Sequence, residues 1–229
     1  MKFFKSIYYE KYTKKSYSIS NVDLIIDRIF LNKKKGIYID VGCNHPIKYN
    51  NTYLLYKRGW SGINIDLDKS SIKEFKKFRK NDYNVETIVS GDGKMKNVYF
   101  YHDRSAINTV SKELINYRNS KTKIIKKKSR TLNEIIENSP FNKKKINLIS
   151  IDVENYEYEV LKNFNFKKYK VDLIVAECLD LSQKKLEMYT QSLDFIMKSK
   201  LYKLLIKNNY KLINWVNSDL VFFNKKSKN

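Results

Sequence analysis

Residues 36–66 read GIYIDVGCNHPIKYNNTYLLYKRGWSGINID, and this stretch decides the fold class. Ile37–Val41 is a short apolar run ending in a glycine turn, the pattern of a strand buried on both faces. The segment 51–58 predicts a helix, and GINID, closed by Asp66, is a second buried strand. A strand, a helix and a strand in so short a span point to a parallel sheet covered by helices. The alternation continues outward. Ser71 and Glu74 form an S-x-x-E capping pattern for a helix with Ile72, Phe75 and Phe78 inward. Residues 85–89 read as a third strand and 97–101 as an edge strand. INLISID and VDLIVAE are two further strands, joined by a helix through Val160, Leu161 and Phe164. A long helix follows over 183–207, and the tail closes as an antiparallel hairpin. Upstream, Val22, Ile25, Ile26, Ile29 and Phe30 share one helical face, with Ser20 or Asn21 as cap.

The expected organisation is an N-terminal arm and helix over 1–35 and one α/β domain over 36–229. A polar, lysine-rich insertion over 102–145 interrupts that domain, with an extended Lys123–Arg130 and a helix over 131–137. The N-terminal helix either supports a dimer or covers the sheet.

A net charge of +22 invites a nucleic-acid partner, since clustered cations bind phosphates through counterion release. The chain carries 40 Lys against 6 Arg, with abundant Asn, Ile and Tyr and two Ala. Those favoured residues share AT-rich codons, and a surface selected to read phosphates or bases would use more Arg. Nucleic acid is therefore a possible partner but not the favoured one; anionic glycans or a membrane surface would feel the same field. No apolar run reaches the ~20 residues of a membrane span, and the basic, aromatic N-terminus lacks a secretory signal's apolar region. Two distant cysteines, Cys43 and Cys178, make neither a zinc nor a disulfide framework, so a cytoplasmic setting is the expectation.

Three motifs carry chemistry. The first is Asp40-Val41-Gly42-Cys43-Asn44 at the end of the first strand. Ligands of open α/β sheets bind beyond the carboxyl ends of strands, and Gly42 allows close backbone approach. Asp40 and Asn44 are placed to bond the amino and carboxylate ends of an amino-acid-like cofactor. The second is Asp66, suited to both ribose hydroxyls of an adenosine cofactor. Asp68 competes for that role or caps the next helix. No G-x-G-x-x-G loop is present, so the ligand should carry a ribose without a diphosphate. That favours S-adenosylmethionine over NAD. The turn Ser90-Gly91-Asp92 would edge the adenine, and all six glycines lie between 36 and 93.

The third motif is Ser150-Ile151-Asp152-Val153-Glu154-Asn155, with Glu177 ending the neighbouring strand. Three acids around one cleft repel unless one is protonated, a lysine pairs with them, or a hard cation such as Mg²⁺ or Mn²⁺ is shared. Each arrangement helps remove a proton from a sugar-type hydroxyl, with a carboxylate or His45 as acceptor. Asp152, Glu154, His45 and Glu177 are thus the catalytic candidates, and Asp152, Glu154 and Glu177 the metal candidates. His102 is at most a second base.

The stretch IDVGCNHPIKYNNTYLLYKRGWSGINIDLD, then INTVSKEL, then SRTLNEII and ISIDVENYEYEVL, resembles the FkbM family of methyltransferases over residues 36–223. The resemblance implies a Rossmann-like class I methyltransferase fold, a mostly parallel seven-stranded sheet ending in an antiparallel hairpin. It also implies S-adenosylmethionine as methyl donor and O-methylation, often of sugars in glycans or natural products. Matched by position, Asp40, Gly42 and Asn44 form the cofactor loop, Asp66 is the acidic residue after the second strand, and Asp152 with Glu154 belong to a D-V-E-G element. Cys43 stands where Ala is usual, Pro46 where Gly is frequent, and Asn155 where the element has Gly. Asn tolerates positive φ better than most residues, which preserves the turn. Asn108-Thr109-Val110-Ser111 matches a family element in the insertion, read as a lid over the acceptor. The expected function is O-methylation of a sugar hydroxyl. The alternatives are an RNA methyltransferase using the basic residues 121–130 and 143–145, and a non-catalytic basic binding module.

Overall fold

A computed structural model describes residues 13–182 and 192–227. Its centre is a seven-stranded sheet built from β1 (Ile37–Val41), β2 (Ser61–Asp66), β3 (Tyr83–Glu86), β7 (Leu148–Ile151), β8 (Leu173–Glu177), β9 (Tyr210–Val216) and β10 (Asp219–Asn224). The order is β3-β2-β1-β7-β8-β10-β9. The first five strands run parallel, and β10 enters antiparallel between β8 and β9. Strand order reverses between β1 and β7, so the carboxyl ends of β1, β2, β7 and β8 open on one crevice. β1 and β8 are almost wholly buried, as expected of strands covered on both faces. This is the parallel sheet anticipated from the strand–helix alternation, in the Rossmann-like arrangement that the family resemblance implied.

Helix α1 (Val22–Ile29) covers one sheet face: Val22, Ile26 and Phe30 pack with Tyr38, Leu55, Trp60, Leu148 and Leu173. Its cap Asn21 is left-handed, and the Ser20 hydroxyl accepts from the Val22 amide. Helix α2 (Tyr53–Lys57) joins β1 to β2, and α3 (Lys69–Phe78) joins β2 to β3. The cap of α3 is Asp68, which accepts from the Ser70 and Ser71 amides, rather than Ser71. Ser71 lies inside the helix, and Phe78 is 53 % exposed at its end while Ile72 and Phe75 are buried. The helix begins three residues earlier than the S-x-x-E pattern suggested, and Phe78 is its last residue.

The run 85–89 also divides. Val85 belongs to β3, whereas Ile88 and Val89 form β4 (Ile88–Val89) in a second sheet. That sheet has the order β4-β6-β5, with β5 (Met95–Phe100) antiparallel to β6 (Lys123–Arg130). The insertion is thus not one lid. Helix α4 (Lys112–Arg118) and the segment before it approach the crevice, whereas α5 (Leu132–Glu137) buries Leu132, Ile135 and Ile136 in the main core. Thr131 and Glu134 close a full capping box on α5. After β7 come α6 (Glu157–Leu161) and α7 (Phe166–Tyr169). The long helix expected over 183–207 is two, α8 (Leu193–Lys198) and α9 (Lys200–Lys207), separated where the Ser199 hydroxyl caps α9. Its expected start, 183–191, lies outside the described residues, as does most of the N-terminal arm.

The first crossover is locked by Arg79, which is fully buried. Its Nε donates to the Pro46 carbonyl at 2.8 Å, Nη1 to Tyr38 Oη and Thr52 Oγ1 at 3.0 Å each, and Nη2 to Asn50 Oδ1. Asn50 and Thr52 in turn donate to Asp40 Oδ2 at 2.9 and 2.8 Å. Asp82 stands 3.9 Å from the guanidinium and accepts from Tyr38, Asn64 and the Gly62 amide. Burial raises the pKa of Asp40 and of Asp82, and the Arg79 charge opposes both shifts. Removing one member of a buried charge network leaves its partners desolvated and unpaired, at a cost of about 3–5 kcal/mol. Arg79→Met is therefore expected to lose about that much stability in urea unfolding. A loss below ~1 kcal/mol would show that the network contributes little.

Candidate active site

The crevice at the carboxyl ends of the strands is lined from β1 by Val41, Gly42 and Asn44, and from β2 by Asp66 and Leu67. Thr87, Ile88 and Val89 form one wall, and Ser105, Ala106, Asn108 and Val110 of the insertion close it from above. Asp152, Val153, Glu154 and Tyr156 complete the rim after β7.

Gly42 is required for a reason the sequence did not show. Its φ is +79°, and a Cβ there would lie 1.7 Å from the Asp152 carbonyl oxygen. The close neighbour is the end of β7, so Gly42 lets the two motif-bearing loops abut. Asn44, also left-handed, donates its amide to Asp66 Oδ2 at 2.8 Å, and the Asp68 amide donates to Asp66 Oδ1 at 2.8 Å. Two backbone donors thus fix the Asp66 carboxylate at the crevice wall, while burial raises its pKa to about 6. Asp68 is occupied as helix cap and as acceptor for the Arg104 amide.

Asp40 does not line the crevice; it sits behind the loop in the Arg79 network, buried. Nor do Ser90, Gly91 and Asp92. Ser90 donates to Asp92, which pairs with Lys96 at 2.7 Å, and the Gly91 amide bonds the Glu159 carbonyl. The turn is held against α6, and Thr87, Ile88 and Val89 present the surface expected of it. His45 also lies outside the lining. Its Nδ1 accepts the Ile47 and Lys48 amides at 3.1 and 3.0 Å, and burial followed by the Arg104 charge lowers its pKa. His102 is exposed, with its Nδ1 at 2.9 Å from the Asp103 carbonyl.

The acids do converge. Asp152, Glu154 and Glu177 each bring a carboxylate oxygen within 4.8 Å of the others. Glu154 and Asn155 are successive left-handed residues, φ +60° and +66°, and this sharp turn brings Glu154 back toward Asp152. Asn at 155 meets the conformation that Gly would otherwise supply. Glu154 pairs with Arg118 of α4 at 2.7 Å, and its carbonyl accepts from Thr109 Oγ1 at 2.9 Å. Two flanking acids complete the set. Glu157 is buried and accepts from the Val153 amide at 3.0 Å, and Asp219, opposite Glu177 in the β8–β10 ladder, accepts from Ser20.

One guanidinium among five carboxylates cannot neutralise them. Burial first, then the charges of Glu154, Asp219, Glu157 and Asp40, holds the Asp152 pKa well above its usual range, although its carboxylate is open to the crevice. Glu177 is shifted the same way by burial and by Asp152, and its Oε2 has no hydrogen-bond partner among the described residues. Burial pushes Glu157 up to about 8. Such a cluster keeps protons at neutral pH unless a cation arrives. Sequence reasoning missed Arg118, Glu157 and Asp219. For Arg118 a signal existed, the rarity of arginine in this lysine-rich chain.

The Rossmann-like sheet thus brings a glycine loop, the anchored Asp66 and an acidic rim to one crevice. The family described as the methyltransferase FkbM domain matches residues 40–204. The chain belongs to the FkbM methyltransferase family. None of the curated proteins is significantly similar to it.

The raised Glu157 pKa has a testable sign. Between its ordinary 4.5 and about 8 the folded chain holds a proton that the unfolded chain has released, so stability falls as pH rises. Free chain should lose about 1–2 kcal/mol between pH 6.5 and 8, and Glu157→Gln should flatten that slope. An unchanged slope in the variant would assign the pH dependence to another group.

Proposed function

We propose that the chain is an S-adenosylmethionine-dependent O-methyltransferase acting on a sugar hydroxyl of a glycan or related metabolite. The observation that carries this reading is that Asp66, fixed by two amides, lines one crevice with Asp152 and Glu154, while Glu177, outside the lining, stands beside those two acids. Asp66 suits ribose hydroxyls; Ile65, Leu67, Ile88 and Val89 offer an apolar wall for adenine. Carboxylates beside the crevice favour a sulfonium cation. When bound, S-adenosylmethionine supplies an electrophilic methyl group.

This chain's own residues then have three tasks. Gly42, Asn44 and Asp66 bind and orient the donor. The segment 105–110 excludes water, and it sits so close that about 50 Å³ is open between the walls. Small-molecule sites usually need several hundred Å³, so binding displaces this segment outward. Asp152, Glu154 and Glu177 orient the acceptor hydroxyl and take its proton, Arg118 holding Glu154 in place. A divalent Mg²⁺ or Mn²⁺ fits the same three carboxylates, since hard cations prefer oxygen ligands and Glu177 Oε2 lacks a partner. A held cation would lower the hydroxyl pKa.

The RNA reading is weaker: Lys127 in its proposed track is committed to the Leu67 carbonyl and Glu86. Cys43 and Cys178 are free and buried, which suits a reducing cytoplasm. Among the described residues no helix is long and apolar enough to cross a membrane.

Calorimetric titration with S-adenosylmethionine and S-adenosylhomocysteine should show one saturable site, weakened about 10–100-fold in Asp66→Ala as charge-assisted hydrogen bonds are lost. Labelled methyl groups should pass to an oligosaccharide fraction and not to RNA, and respond to added Mg²⁺ or Mn²⁺. Absence of cofactor binding would refute the proposal; transfer to RNA alone would refute its acceptor.

A further inference from the structure

We propose that a basic groove at the edge of the sheet opposite the crevice binds a ligand carrying two or more phosphate groups. The groove encloses about 290 Å³ where β8 and β9 begin and β10 ends. Lys145, Lys167, Lys170, Lys207 and Lys226 line it, from the loop before β7, from α7 and its cap, from the end of α9 and from the tail after β10. No carboxylate is in that lining among the described residues. Lys145 pairs with Asp172 at 2.6 Å beside the groove; the other four lysines have no ion pair among the described residues.

Helix ends explain part of this. A lysine in a helix's last turn complements the negative end of the helix dipole, which accounts for Lys167 and Lys207. Lys170, the cap of α7, falls under the same account, but Lys145 and Lys226 reach the same concavity from other segments. Four exposed lysines without an ion pair among the described residues line one hollow beside the Lys145–Asp172 pair, and a concave surface focuses the field of like charges. A multivalent anion answers that field; a monovalent one does so weakly.

The residue types narrow the ligand. Lysines are rotatable point charges that suit phosphate oxygens without fixing a planar partner. Base stacking lacks a free platform, because the Phe166 ring is already engaged edge-on with Phe164 and Tyr210. The cations also surround a hollow rather than follow a track, so an oligophosphate or a phosphorylated headgroup fits better than a nucleic-acid strand. The five residues of β8 separate this edge from Glu177 by roughly 17 Å. The groove therefore anchors its ligand away from the reacting centre. This placement stands independently of the cofactor reading.

Tripolyphosphate is a direct probe, titrated calorimetrically at about physiological salt into the full chain. Wild type should bind it saturably near one to one. Lys170→Gln with Lys207→Gln should weaken binding at least about tenfold, whereas Lys126→Gln with Lys128→Gln on β6, an equal charge loss, should not. Matching thermal melts for both pairs would show that each is folded. Displacement of tripolyphosphate by phosphatidylglycerol vesicles, but not phosphatidylcholine vesicles, would identify a lipid headgroup as the source. Failure of both vesicles to displace it would identify a soluble phosphate. Equal weakening in both variant pairs would overturn the proposal, as would no saturable binding. RNA binding that survives the groove substitutions without tripolyphosphate binding would overturn it too.

Discussion

Everything at the crevice rests on one buried cation. Arg79 is the end of α3, yet its four side-chain partners belong to β1 and to the loop that follows it. A guanidinium can serve that many acceptors in one plane; an ammonium cannot. The loop carrying Gly42 and Asn44 is thereby held from behind by Pro46, Asn50 and Thr52. Asp40, which a motif reading places against the ligand, acts as counter-charge and acceptor in this support. A motif can therefore matter for the site by fixing the loop that touches the ligand.

The second constraint is electrostatic imbalance. The front of the sheet gathers five carboxylates with one arginine, while the back gathers five lysines with one aspartate at their margin. Neither arrangement helps folding, since like charges repel, most strongly in the desolvated acidic cluster. Proteins retain such costs where something outside the chain is recognised. At the front the unpartnered Glu177 oxygen adds a geometric reason to look for a cation or a hydroxyl.

The fold was largely legible because burial on both faces writes parallel strands as plain apolar runs, as in IYIDV and LIVAE. Boundaries failed where local and tertiary signals compete. Ser71 and Glu74 match a capping box, but Asp68 caps the Ser70 and Ser71 amides and starts the helix one turn earlier. Residues 85–89 look continuous, but the chain changes sheets at Thr87. Asp66 and Glu177 stood out in the sequence because each ends a strand, and Asp152 and Glu154 because they follow one. Arg118 and Asp219 did not, since their proximity depends on where the insertion and the C-terminal hairpin fold back. The Ser90–Asp92 turn misled because a turn's sequence does not say which side of a sheet it faces.

The left-handed backbone positions carry a last consequence. Three glycines and ten other residues have positive φ among the described residues, and six of those ten are asparagine. Asparagine is the next most tolerant residue after glycine in this conformation, and its codons are AT-rich where glycine's are GC-rich. A genome drifting in base composition can thus replace most of its turn glycines and keep the backbone path. Gly42 cannot follow, because the end of β7 leaves no room for a side chain. Across descendants of this gene, glycines that resist the mutational tide would mark where atoms touch, and asparagines would mark where the chain only bends.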